Sequence, residues 1–252
     1  VSGGGSAGLA PDAVTLVESV PVETDLDHPD VPNAPDVWLA MIRGAARTID
    51  LAEFYAVSQE GSALEAVVVE IERALARGVR VRIVLDGLFF PKYPELAARL
   101  ERAGAQVRRL ELAKETGGVL HAKYFVVDDR EAFVGSQNFD WRALEHIQEM
   151  GVRLRDPDAV AALASLFDAD FRDQASAPAI HAPAIRWGGG RDVVVKASPR
   201  GLLPDEAAWD LPELVGWIDG ASRSVDVQLL TYKPTFRDGK PFRELDGALE
   251  RA

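Results

Sequence analysis

The sequence contains no cysteine. Disulfides, cysteine nucleophiles and thiolate-bound metals are thereby excluded, although this leaves the compartment unfixed. Histidine is scarce, at four in 252 residues, so any imidazole chemistry rests on a handful of positions. No apolar run approaches the ~18 residues that a membrane-spanning helix requires. Positive charge is the minority sign. Twenty-eight Lys and Arg against forty Asp and Glu give a formal net charge of −12, which argues against a protein that coats nucleic acid indiscriminately. Arg80/Arg82 and Arg108/Arg109 leave room for a local basic cleft, but alternating charge on a strand is more often a solvated face. The chain opens on Val1 with "VSGGGSAGLAP", the composition of a flexible leader over 1–13. Localisation stays open between cytoplasmic and exported with a signal segment removed.

What is present is an ordinary globular composition, 47% hydrophobic and 27% charged, with length for one large domain or two small ones. Strand and helix patterns alternate. "VTLVESV" suits a strand, and "APDVWLAMIRGAAR" has helical spacing. "TIDLAEFYAV" reads as one buried strand. "GSALEAVVVEIERALARG" is a helix stopped by Gly78, "VRVRIVLD" a strand, "YPELAARLERAG" a helix and "AQVRRLEL" a strand. "VLHAKYFVVDDREAFVG" predicts two strands around a turn at Asp128–Glu131. "IQEMGVRL" reads as a further strand, and "DPDAVAALASLFDADFRD" predicts a helix capped by Asp156 with Pro157 at its first position. The expectation is an α/β fold with a mixed β-sheet flanked by helices.

Residues 174–204 interrupt this rhythm with Pro, Ala and Gly and read as a linker between a first half, 14–173, and the start of a second, 205–252. The two halves share a pattern. "MIRGAARTIDLA" matches "WIDGASRSVDVQ" at an offset of 176, with Ile42/Ile218, Gly44/Gly220, Ala45/Ala221, Arg47/Arg223 and Asp50/Asp226 identical. Two helix–strand units with a generic Ala-rich pattern would explain part of this, but the kept spacing favours duplication and a pseudo-twofold domain. On that reading the counterpart of His121 falls near position 297, and the second half is only partly present.

One segment carries chemistry. His121 and Lys123 are followed by Asp128, then by Gly135, Ser136 and Asn138. On a strand His121 and Lys123 project from the same face, while Asp128 has the opposite parity and sits at the turn; it is expected to support rather than react. His28, His146 and His181 have no such company and read as structural. Trp141 and Arg142 either shape a pocket or pack at a helix start. No Asp, Glu or His cluster has metal-ligand spacing, and no cofactor is called for.

The spacing HxKxxxxD…GSxN is similar to the motif of the phospholipase D superfamily. "LVESVP", "IDLAEFYAV", "GSQNFDWRALEHIQEMG" and "VDVQLLTYKP" extend the resemblance to the animal lysosomal phospholipase D-like proteins and their poxvirus relatives, and the Ala- and Arg-rich composition suggests a bacterial cousin. The resemblance implies a two-motif pseudo-dimer and two-step displacement at phosphorus. A neutral imidazole attacks to form a phosphohistidine, and a second histidine serves as general acid and then base. It implies that Lys123 holds the phosphoryl oxygens while Ser136 and Asn138 add hydrogen bonds. It also makes Glu149 the candidate partner for the second nitrogen of the nucleophilic histidine. The second histidine would come from the rest of the second half or, failing that, from a homodimer. Phospholipid is the first expectation for the phosphodiester substrate. Single-stranded nucleic acid is the alternative, with Phe89, Phe90 and Tyr93 as candidate stacking residues. An inactive binding scaffold is a third reading.

Overall fold

The computed structural model describes residues 12–114, 116–172, 193–229, 231–236 and 239–252. The expected leader through residue 11, His181 and the expected linker as far as residue 192 lie outside the described residues. The contacts divide the chain into a first unit ending at Val195 and a second beginning at Lys196.

The first unit runs β1 (Val14–Ser19), α1 (Ala34–Arg43), β2 (Thr48–Glu53), β3 (Ala56–Val57), α2 (Ala63–Ala76), β4 (Arg80–Asp86), α3 (Glu95–Arg102) and β5 (Gln106–Leu110). It continues with β6 (Lys123–Val127), β7 (Glu131–Gly135), β8 (Phe139–Asp140), α4 (Trp141–Glu145), β9 (Glu149–Leu154) and α5 (Pro157–Phe171). Among the described residues seven strands form one sheet in the order β1-β9-β7-β6-β2-β4-β5. The β2, β4 and β5 strands are parallel, as helical crossovers require, and the remaining neighbours are antiparallel. The mixed α/β sheet expected from the alternating pattern is therefore present. No helix among the described residues is long and apolar enough to cross a membrane.

Local chemistry sets the element ends. Ser62 Oγ accepts from Glu65 N–H at 3.2 Å and starts α2, while Gly78, at φ +88°, stops it. Asp156 accepts from Ala159 N–H at 3.0 Å and starts α5, with Pro157 in the first turn. The two strand faces have different jobs. Ile49, Leu51, Val81, Ile83, Phe125 and Phe133 pack with Trp38, Met41, Ile42 and Ile71 into the main core. The Trp38 ring lies edge-on to Phe125 and Phe133, at 5.6 and 5.2 Å, and stacks on Phe139 at 5.8 Å. On the opposite parity, Arg82 donates to both carboxylate oxygens of Asp50 at 2.7 and 2.8 Å and to Asp168 at 2.9 Å. Its guanidinium also covers the rings of Phe167 and Phe171 on α5. Arg82 thus belongs to a paired structural network and not to a basic cleft.

Two segments depart from expectation. "TIDLAEFYAV" is not one strand. It breaks after Glu53, and β3 pairs in parallel with β8 in a separate small sheet. The strand expected to carry His121 begins only at Lys123, because Leu120 gives its N–H to the Asp86 carboxylate instead of to a neighbouring strand.

The second unit contains α6 (Leu211–Asp219) and α7 (Arg243–Arg251). Its sequence repeat has a local structural counterpart. α1 ends at Gly44 (φ −75°, ψ −8°) and α6 at Gly220 (φ −85°, ψ −5°). Each glycine N–H turns back to the carbonyl four residues earlier, and the alanine after it donates to the carbonyl of Ile42 or Ile218. Residues 225–229, matched to β2, form no strand, since a strand needs a hydrogen-bonded neighbour and the described residues of this unit supply none.

Candidate active site

The motif collects at the end of the sheet where β2 and β4 finish and β6 begins. The antiparallel register sets Glu53 opposite Lys123, so the two side chains leave the same face. His121 lies just before β6. Its placement depends on Asp86, the last residue of β4, which is buried. The Asp86 carboxylate accepts Leu120 N–H at 2.7 Å and Phe89 N–H at 2.8 Å, tying the chain before His121 to the loop after β4.

Lys123 Nζ stands 3.3 Å from Nδ1 and 3.4 Å from Nε2 of His121. The Phe54 ring lies 4.7 Å from the imidazole and 5.5 Å from the same ammonium. Partial desolvation, and then the charge of Lys123, push the His121 imidazole below its usual 6.5, against a smaller opposing pull from Asp86. The ring is therefore neutral near neutral pH, the state in which a nitrogen lone pair is free. Desolvation also lowers Lys123, while Glu53 and Glu149 hold its charge.

Two carboxyl groups flank this lysine. Glu53 is buried and its carboxyl sits well above the ordinary range, because burial outweighs Lys123 and the Phe139 N–H. Its Oε2 has no hydrogen-bond partner. Burial pushes Glu149 up to about 7, against the Ser136 hydroxyl and Lys123, with Asp140 adding to the rise. Glu149 begins β9 next to Ser136, whose N–H bonds the Met150 carbonyl. Among the described residues no hydrogen bond joins it to the His121 ring, whose ring nitrogens are within hydrogen-bonding reach of Lys123.

The Gly135–Asn138 segment leaves β7 beside this cluster. Ser136 N–H donates to Met150 O at 3.0 Å, and Ser136 Oγ accepts from Met150 N–H at 3.3 Å. Asn138 Oδ1 is buried with no partner. Gly135 is required by close packing: a Cβ there would lie 2.2 Å from Gln137 Oε1 and 3.0 Å from the Phe133 ring. Gly151 on β9 meets the other side of that ring, where a Cβ would come within 2.4 Å of Phe133 Cζ.

Asp128 stands apart, at the far end of β6. A five-residue strand separates it from the cluster, about 17 Å of chain. It takes the left-handed conformation at φ 56° and accepts N–H groups of Ala46, Arg47 and Thr48 at 2.9, 2.7 and 2.8 Å. Burial alone would raise its carboxyl, but these donors and Arg130 outweigh it and hold the carboxyl below the ordinary range.

The chain matches the family described as "Cardiolipin synthase, PLD-like domain" over residues 38–171, more than half its length. It belongs to the phospholipase D superfamily. The 5′-3′ exonuclease PLD3 of Homo sapiens is 30% identical over 276 residues, covering 96% of this chain and 56% of that protein. Phospholipase D Z of Dictyostelium discoideum is 26% identical over 270 residues, covering 95% of this chain and 64% of that protein. The chain thus spans just over half the length of its PLD3 relatives. Among solved structures, the phospholipase D family member Nuc from Salmonella typhimurium superposes with a TM-score of 0.50 at 20% identity, covering 62% of this chain and 92% of that one. That likeness concerns the fold.

Phospholipase D-type motif residues are thus divided by the fold. His121, Lys123, Ser136 and Glu149 share one end of the sheet, and Asp128 stitches the other. Sequence reasoning passed over Glu53, Phe54, Tyr55 and Asp86. Glu53 and Asp86 had a readable signal, since each is an acid at the carboxyl end of its strand, where α/β sheets place their sites. Of the aromatic candidates, Phe90 is buried under the Arg109 guanidinium at 3.8 Å. Phe89 and Tyr93 are half-buried. His28 pairs with the buried Glu18 at 2.8 Å, and His146 is exposed, edge-on to Trp141 at 5.1 Å.

Proposed function

We propose that this chain carries the nucleophile-bearing half of a phosphodiesterase that works through a covalent phosphohistidine on single-stranded nucleic acid. The observation that carries the chemistry is an ammonium within 3.4 Å of both imidazole nitrogens, which together with partial burial favours the neutral ring. In the first step a His121 nitrogen bonds to phosphorus and the bond to the leaving alcohol oxygen breaks. A general acid protonates that oxygen. In the second step water bonds to phosphorus, the nitrogen–phosphorus bond breaks, and the same group, now a base, takes the water's proton. Lys123 holds charge on the phosphoryl oxygens through both steps, with Ser136 and Asn138 as neutral donors. The general acid is a second histidine, from a second copy of the motif in the same protein or in a partner copy. Glu149 steadies Lys123 and Ser136.

The substrate class rests on relatives named as 5′-3′ exonucleases. A phospholipid reading is favoured by the family description and by the relative named as a phospholipase D. Side-by-side turnover of 5′-hydroxyl single-stranded DNA and phosphatidylglycerol vesicles tests the choice. Faster release of nucleotides supports the proposal, and turnover of the lipid alone overturns it.

A further inference from the structure

Beside His121 the first unit presents a continuous run of aromatic rings that its core does not absorb. Phe54 touches the imidazole at 4.7 Å and Phe89 at 4.2 Å. Phe89 lies near-parallel to Tyr55 at 6.3 Å, and Tyr55 meets Tyr93 at 5.2 Å. All four rings are half-buried, so each keeps accessible surface while its other side is held. The exposed ammonium of Lys92 stands 5.9 Å from Phe89 and 5.1 Å from Tyr93.

The rings are fixed from behind by polar contacts. Tyr55 O–H donates to Asp140 Oδ2 at 3.0 Å. Asp140 is buried, caps α4 through Arg142 N–H at 2.9 Å and pairs with the Arg142 guanidinium. Lys92 and Arg142 also hold the Tyr93 hydroxyl below its usual range. At the other end, Asp86 holds Phe89 N–H and Leu120 N–H together, which sets the distance from the ring run to His121.

We infer that Phe54, Phe89, Tyr55 and Tyr93 form a stacking ledge for unpaired nucleobases, with Lys92 on a backbone phosphate, that delivers the scissile phosphodiester to His121. Every base has a π-face, so such a ledge is indifferent to sequence. Lys92 and Lys123 supply positive charge at the two ends of this run, which the net charge of −12 conceals. This inference rests on the nucleic-acid reading of the same site and adds to it the residues that hold the strand.

The test compares Phe89→Leu and Tyr93→Leu with the parent protein on two substrates, a short oligothymidylate and bis(p-nitrophenyl) phosphate, which has no base. A parallel measurement follows 2-aminopurine fluorescence at the end of a single-stranded oligonucleotide, which is quenched on stacking. Each variant should lower kcat/KM for the oligonucleotide about 5- to 100-fold more than for the small diester and should reduce the quenching. If the parent cleaves the oligonucleotide but both substrates lose turnover equally, or neither does, the ledge is wrong while the substrate reading stands. If the parent cleaves the small diester but neither binds nor cleaves the oligonucleotide, both are wrong. Unaltered quenching in the variants also overturns the ledge.

Discussion

Lys123 Nζ lies almost equidistant from the two ring nitrogens of His121, at 3.3 and 3.4 Å. Partial burial and an ammonium so placed both favour the neutral imidazole. The two residues are not brought together by strand pleating alone. Lys123 is fixed by its register against Glu53, and the chain before His121 is fixed by Asp86.

Lys123→Ala should lower kcat for bis(p-nitrophenyl) phosphate about 100- to 1000-fold, the cost of removing a preorganised charge from a developing oxyanion. Steady-state kinetics on variants with an unchanged melting temperature measure it. A fall of less than about threefold would place the lysine outside the reacting centre.

The pH–rate profile should have an acid limb below 6.5, the ordinary imidazole value, because His121 is displaced downward. Protonation occupies the attacking lone pair, so kcat/KM falls as pH drops through that limb. In Lys123→Gln the limb should move up, since a positive neighbour has gone. An unmoved limb would mean that another group governs it.

Folding stability should decline as pH rises above about 5. A carboxyl whose folded-state value exceeds its unfolded one binds its proton more tightly when folded. Its stabilising contribution is full below the ordinary value of 4.5 and is lost as pH rises through the folded value, about 7 for Glu149 and also raised for Glu53. Urea denaturation at about pH 5 and about pH 8 should show this loss in the parent and a smaller one in Glu53→Gln and Glu149→Gln. Equal losses in all three proteins would contradict the assignment.

Asp128→Ala should cost about 3 kcal/mol of stability, because it strands the Ala46, Arg47 and Thr48 N–H groups. At temperatures where the variant is folded its kcat should remain within about threefold of the parent. A large loss of kcat without loss of stability would make Asp128 a participant in the chemistry.

Much of this was legible in the sequence, and the remainder fails for identifiable reasons. Strand-like segments located β1, β4, β5 and β9, with clean alternation in β4, and the caps at Ser62, Gly78 and Asp156 leave local signals. His121 and Lys123 were visible because short-range spacing carries them. The break of β2 after Glu53 was not, since "EFYAV" is apolar enough to continue a strand and only pairing with β8 diverts it. The clasp made by Asp86 joins residues 34 apart in the chain, a relation that no window of sequence contains. Phe54 and Tyr55 read as core for the same reason: burial on one side and exposure on the other is a tertiary property.

The central claim is a covalent bond between His121 and phosphorus. Rapid quench of the protein with a labelled phosphodiester, followed by peptide mapping, tests it most directly. The account predicts acid-labile, base-stable label on the peptide containing His121 and none in His121→Ala. Label on serine, or undiminished turnover in His121→Ala, would contradict it.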